Sequence, residues 1–111
     1  MAYDDDLARR IRELVAGQPG LAEKKMFGGL AFLIGGNMAV AASGRGGILV
    51  RVDPVETEAL TSKTNARPAE MRGRLMNGWL RVEARDLQTN AELAPWVERG
   101  TSYARSLPSK R

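Results

Sequence analysis

The run EKKMFGGLAFLIGGNMAVAASGRGGILVRV, Glu23–Val52, decides the fold. It holds four strand candidates: Glu23–Phe27, Leu30–Ile34, Met38–Ala42 and Ile48–Val52. Their separators are Gly28-Gly29, Gly35-Gly36-Asn37 and Ser43-Gly44-Arg45-Gly46-Gly47. Links this short and this rich in glycine are those of tight hairpins, because glycine enters positive φ without a steric penalty. Parallel neighbours would need crossovers of about a dozen residues, and the run has no room for them. An antiparallel meander follows.

Upstream, residues 4–16 read as a helix. Leu7, Ile11, Leu14 and Val15 form one apolar stripe, and Asp4, Asp5 and Asp6 sit at the positive end of the helix dipole. Gly17 and then Pro19-Gly20 end it. Downstream, Asp53-Pro54-Val55-Glu56 is a helix start, with Asp53 as cap and Pro54 at the first helical position. Val55, Ala59 and Leu60 offer this second helix a short apolar edge. Residues 64–77, with Pro68, Gly73 and Asn77, read as irregular. Trp79–Glu83 alternates as a fifth strand, Leu80 and Val82 on one face, Trp79, Arg81 and Glu83 on the other. The alternation does not say which of these faces is the core.

The last helix spans about Asn90 to Leu107, with a stripe of Leu93, Trp96, Val97, Gly100, Ala104 and Leu107. Thr89 and Glu92 match a capping box, which places Pro95 in the second turn; the helix either starts later, near Ala94, or bends there. The predicted order is α-β-β-β-β-α-β-α. That is an α+β fold in which an antiparallel meander sheet is covered by the N-terminal and C-terminal helices.

Composition narrows the chemistry. The 111 residues suit one domain, residues 1–111, and contain no cysteine and no histidine. Disulfides, thiolate nucleophiles, Cys/His zinc sites and Ser-His-Asp triads are therefore excluded. Without histidine, a general base would have to be a strongly perturbed Asp, Glu or Lys, so no enzyme is expected. The start Met1-Ala2-Tyr3-Asp4-Asp5-Asp6 is acidic, unlike a secretory signal, and apolar runs such as Leu30–Ile34 are far too short to span a membrane. A cytoplasmic protein is expected.

Charge is uneven. Across residues 63–85, Lys63, Arg67, Arg72, Arg74, Arg81 and Arg85 face only Glu70 and Glu83, so this window carries the whole net charge of +4. Such a block attracts phosphate or an acidic partner; it also reads as a solvated face that keeps the chain soluble. Lys24 and Lys25 precede Gly28-Gly29, but neither the P-loop nor the dinucleotide spacing is present, and a hairpin turn explains the glycines. A single Arg-Gly-Gly at Arg45-Gly46-Gly47 reads as a hairpin tip. Asp4, Asp5 and Asp6 are consecutive helical residues that cannot all point at one cation, so no metal or cofactor is expected. Trp96 lies on a helical stripe and reads as core. Trp79 reads as packed, or, if exposed beside Arg81 and Arg74, as a contact residue.

Lys24-Lys25-Met26-Phe27-Gly28-Gly29-Leu30-Ala31-Phe32-Leu33 with Gly36-Asn37-Met38 resembles the signature of the TfoX/Sxy N-terminal domain. Asp53-Pro54, Met76-Asn77-Gly78-Trp79, Leu93, Trp96, Val97 and Tyr103-Ala104 extend the resemblance over nearly the whole chain. The resemblance implies an α+β domain grouped with secretion-chaperone-like folds and a link to bacterial transcription and competence, in which the best-known relatives act with a cyclic-AMP-responsive activator. Those relatives carry a second, helical C-terminal domain, and this chain is expected to be a single-domain member. The family has no catalytic motif to carry over. The expected partner is a protein of the transcription apparatus or a second copy, with nucleic acid as the alternative. The expected interaction surface is Lys24, Lys25, Arg67, Arg72, Arg74, Arg81 and Arg85, and the expected structural turns are Gly28, Gly29, Gly35, Gly36 and Asn37.

Overall fold

A computed structural model describes residues 4–26, 28–71 and 73–109. The elements run α1 (Asp5–Val15), β1 (Leu21–Met26), β2 (Gly29–Ile34), β3 (Asn37–Ala42), β4 (Ile48–Arg51), a 3-10 turn (Pro54–Glu56), α2 (Thr57–Lys63), β5 (Arg67–Met71), β6 (Arg74–Val82), a second 3-10 turn (Ala84–Asp86) and α3 (Asn90–Ser106). All six strands lie in one antiparallel sheet of order β1-β2-β3-β4-β6-β5. The expected α+β meander clad by the two terminal helices is the architecture observed, with one strand added.

That added strand corrects the reading of residues 64–77. They hold β5 and the first part of β6, and the strand expected at Trp79–Glu83 is the end of a longer β6. Pro68 argued against a strand because proline cannot donate to a ladder. β5 is an outer strand, where that loss is tolerated. β1, at the opposite edge, carries exposed Lys24 and Lys25 on adjacent positions, a charge pattern that discourages further strand pairing. The expected extension of the first strand to Phe27 lies outside the described residues.

Between Ile34 and Asn37 the hairpin turns on Gly35 and Gly36, at φ 60° and 84°. Positive φ at both central residues matches the right-handed twist of the flanking strands. Gly28 lies in the preceding turn, while Gly29 and Asn37 are the first residues of β2 and β3, beside the turns rather than within them. Asn37 is buried, and its side-chain amide donates to the Pro108 carbonyl at 2.9 Å, which ties the end of the chain to the sheet.

Asp4 caps α1 by accepting from the Leu7 amide at 3.1 Å, and Asp53 caps the 3-10 turn by accepting from the Val55 amide at 3.1 Å. The apolar edge expected for α2 is mostly absent: Val55 and Ala59 are exposed, and Leu60 alone packs against the core. α3 begins at Asn90 with both halves of the Thr89–Glu92 capping box in place. It does not start later, and Pro95 lies inside it. The carbonyl deprived of a donor there belongs to Ala91, an exposed residue, so water can serve it.

Both long helices cover the same face of the sheet. Leu7, Ile11 and Val15 of α1 and Leu93, Trp96 and Val97 of α3 share a core with Phe32, Val40, Val50 and Leu80. Each such side chain contributes roughly 1.5–3 kcal/mol on full burial. At the Phe32/Leu33 register shift, Phe32 pairs with Val40 and Leu33 with Met38, so Ala39 is the extra residue of a bulge. α3 crosses at that point with Gly100. A Cβ on Gly100 would overlap the Ala39 carbonyl oxygen and lie 3.0 Å from its carbon, so glycine sets how near the helix approaches.

Candidate interaction surface

The helices leave the other face of the sheet to the strands alone. Ala31, Met38 and Ala41 cluster there with Met26, Leu33, Leu49 and Trp79, and no described helix residue joins them. Register builds this face as rows. One row crosses all six strands: Lys24, Ala31, Ala41, Leu49, Arg81, Arg67. A second, two residues along, contains Ala22, Leu33 and Met38 on β1–β3 and Arg51 with Trp79 on β4 and β6. The pattern is an apolar middle with cations at both sides. Lys24 and Arg81 stand four strand spacings apart, about 19 Å.

The cations differ in what they do. Arg81 is mostly buried and holds the β3–β4 loop: it donates to Ser43 Oγ at 3.0 Å, to the Arg45 carbonyl at 3.1 Å and to the Gly46 carbonyl at 2.8 Å. It also meets Glu83 at 3.4 Å. Arg67 donates to the same Glu83 at 2.6 Å. That hydrogen bond holds the Glu83 carboxyl below its ordinary value, with the charges of Arg81 and Arg67 adding to it against some desolvation. Arg51 lies with its guanidinium 5.2 Å from the Trp79 ring and 5.7 Å from the Tyr103 ring of α3. Trp79 is thus half-buried on the strand face, and Trp96 lies in the core.

The expected surface residues do not form one patch. Lys24 shares the strand face, whereas Lys25, next along β1, points to the helix side with Glu23, which Arg12 of α1 engages at 2.7 Å. That hydrogen bond from Arg12 lowers the Glu23 pKa against a smaller desolvation. Arg74 begins β6 and pairs with Met71, four β5 residues and about 13 Å from the Arg67–Arg81 pair. Arg85 lies in the 3-10 turn after β6, and Arg72 lies outside the described residues. The basic window is a feature of the sequence more than of one surface.

Leu33, Met38, Leu49 and Arg51 were not among the surface residues expected from the sequence. One signal for them was present: Leu30–Ile34 and Met38–Ala42 are apolar at both parities, a pattern of strands with two apolar faces. Elsewhere, a groove of about 490 Å³ runs between the first 3-10 turn and α3, lined by Asp53, Glu56, Pro95, Glu98, Arg99 and Tyr103. Among the described residues no cluster of three or more side chains suits a metal ion, and no helix is long and apolar enough to cross a membrane.

An antiparallel sheet clad by helices on one face, with its other face apolar and edged with cations, defines a one-sided α+β domain. The family model for the TfoX N-terminal domain matches residues 13–104, and the chain belongs to that family. None of the curated proteins matches it.

Proposed function

We propose that this chain is a cytoplasmic regulatory domain of the TfoX N-terminal type that acts on transcription, competence genes included, by protein contact rather than by making or breaking bonds. The observation that carries this reading is the strand face on which Met26, Leu33, Leu49 and Trp79 surround buried alanines, with no described helix residue in their cluster. Family membership and the lack of histidine and cysteine support it. The partner is a protein of the transcription apparatus or a second copy. A photo-crosslinking residue at position 33 in living cells tests it, with position 75, exposed on the β5–β6 hairpin, as control. A discrete protein adduct from position 33 only, unchanged by nuclease, is expected. No adduct, or equal adducts from both positions, refutes the reading.

Nucleic acid is the second reading, favoured by the cation excess of the same face, where Lys24, Arg51, Arg67 and Arg81 outnumber Glu83. Such binding must weaken steeply with salt, and anisotropy showing none at ~50 mM salt removes it.

A further inference from the structure

We infer that the occupant of the strand face is an amphipathic helix with carboxylates on both shoulders, lying along β3. This rests on the reading of that face as the contact surface and adds what it takes. The floor is Ala31 and Ala41, side by side in register on β2 and β3, and larger side chains stand around it: Met26, Leu33, Met38 and Leu49. Small residues on β2 and β3, with Met26 and Leu49 on the strands outside them and the Leu33–Met38 pair further along, form a shallow trough bounded at one end. From β1 to β4, the strands that carry Met26 and Leu49 on either side of the floor, the trough spans three strand spacings, about 14 Å, which admits one helix.

Charge selects among occupants. Cations outnumber carboxylates on this face: register places Lys24 on one side and Arg51, Arg81 and Arg67 on the other, with Glu83 beside the last two. Glu83, just past β6, answers Arg67 and Arg81 and leaves Lys24 and Arg51 on opposite sides of the trough. A second copy docked face to face would bring like charges together. A single nucleic-acid strand needs several aromatic platforms, and this face offers Trp79, already stacked with Arg51. An added β-strand would have to pair with β1, guarded by Lys24 and Lys25, or with β5, interrupted by Pro68. A helix with an apolar stripe and acidic flanks meets the trough and both rims at once.

A display library of randomised helical peptides, about 14 residues long to cover the face, is selected against the intact chain. Enriched peptides should carry apolar residues at three-and-four spacing, flanked by Asp or Glu. Lys24→Glu should weaken their binding about fivefold, the scale of one exposed ion pair. Leu33→Asp should weaken it about tenfold or more through the lost apolar contact, and Leu75→Asp should change nothing. If Leu33→Asp proves unfolded, Lys24→Glu, at an exposed position, still decides. No enrichment, enrichment of basic or extended peptides, or indifference to Lys24→Glu overturns the inference. So does a dimer in sedimentation, or oligonucleotide binding, that is lost in Leu33→Asp. Crosslinking from position 33 without acid-flanked helix binding removes this inference alone; absence of crosslinking removes the contact reading itself.

Discussion

Gly100→Ala sets two effects of opposite sign against each other. Gly100 lies inside α3 at ordinary helical φ, so helix propensity alone predicts that alanine stabilises by about 1 kcal/mol. Tertiary packing predicts the reverse. The new Cβ would overlap the Ala39 carbonyl oxygen, with Ala39 C at 3.0 Å and Val50 Cγ1 at 3.4 Å. Neither side yields easily, since the obstacle is strand backbone and the methyl is fixed to helix backbone. α3 must back away by roughly 1 Å, a gap that forfeits a quarter to a half of the dispersion energy of the contacts it opens. Leu93, Trp96, Val97 and Ala104 share that interface. Overpacking of this kind costs up to about 3 kcal/mol. Set against the propensity gain, the net loss is about 2 kcal/mol, or a fall in Tm of about 10 °C for a chain of this size. Urea and thermal unfolding followed by tryptophan fluorescence measure it. Ser102→Ala, exposed on the same helix, reports propensity without the clash and should gain a few tenths of a kcal/mol. A Gly100→Ala protein as stable as the parent, or more so, would refute the close-approach argument.

Other outcomes follow from the same contacts. Arg81→Met removes the donors to Ser43, Arg45 and Gly46 and should cost about 1–2 kcal/mol. Amide exchange at Gly46, which donates to the Ser43 carbonyl, should quicken, and unchanged protection there would count against the clamp. Glu23 and Glu83 titrate below the ordinary 4.5 when folded, so the unfolded chain takes up protons first. Their contribution is full above that value and is lost as pH falls through the lower folded values. Urea midpoints should drop in this acid range, and less so in a Glu23→Gln, Glu83→Gln double variant; an equal drop in both proteins contradicts the pairing. Val55→Ser and Leu75→Ser, at side chains 84% and 68% exposed, should shift stability by no more than about 0.5 kcal/mol in the same titration.

Much of the architecture is written locally. The glycine links of residues 28–47 leave a meander as the short-range solution, and Asp4, Asp53 and Thr89 mark helix starts because a cap bonds amides within three residues of itself. Pro68 misled because its meaning depends on whether the strand has one neighbour or two, and no residue nearby carries that information. Pro95 misled less: the capping box at Thr89 and Glu92 outweighs one missing hydrogen bond near an exposed turn. The basic window looked like a site because linear density of charge is visible in a sequence, whereas register scatters those arginines over the strand face, the hairpin and a turn.

Sequence alone determined the two terminal helices, the order of the first four strands and how they reverse, and which catalytic chemistries the chain lacks. These are properties of neighbouring residues and of composition. Tertiary structure alone decided that β6 pairs with β4 while β5 takes the edge, that both long helices choose one face, and that Lys24, the Ala31–Ala41 floor and Arg67 fall in one row. The reason is physical. Strands apolar at both parities satisfy either face equally, so which side remains open is set by where α1 and α3 pack, through contacts between residues tens of positions apart.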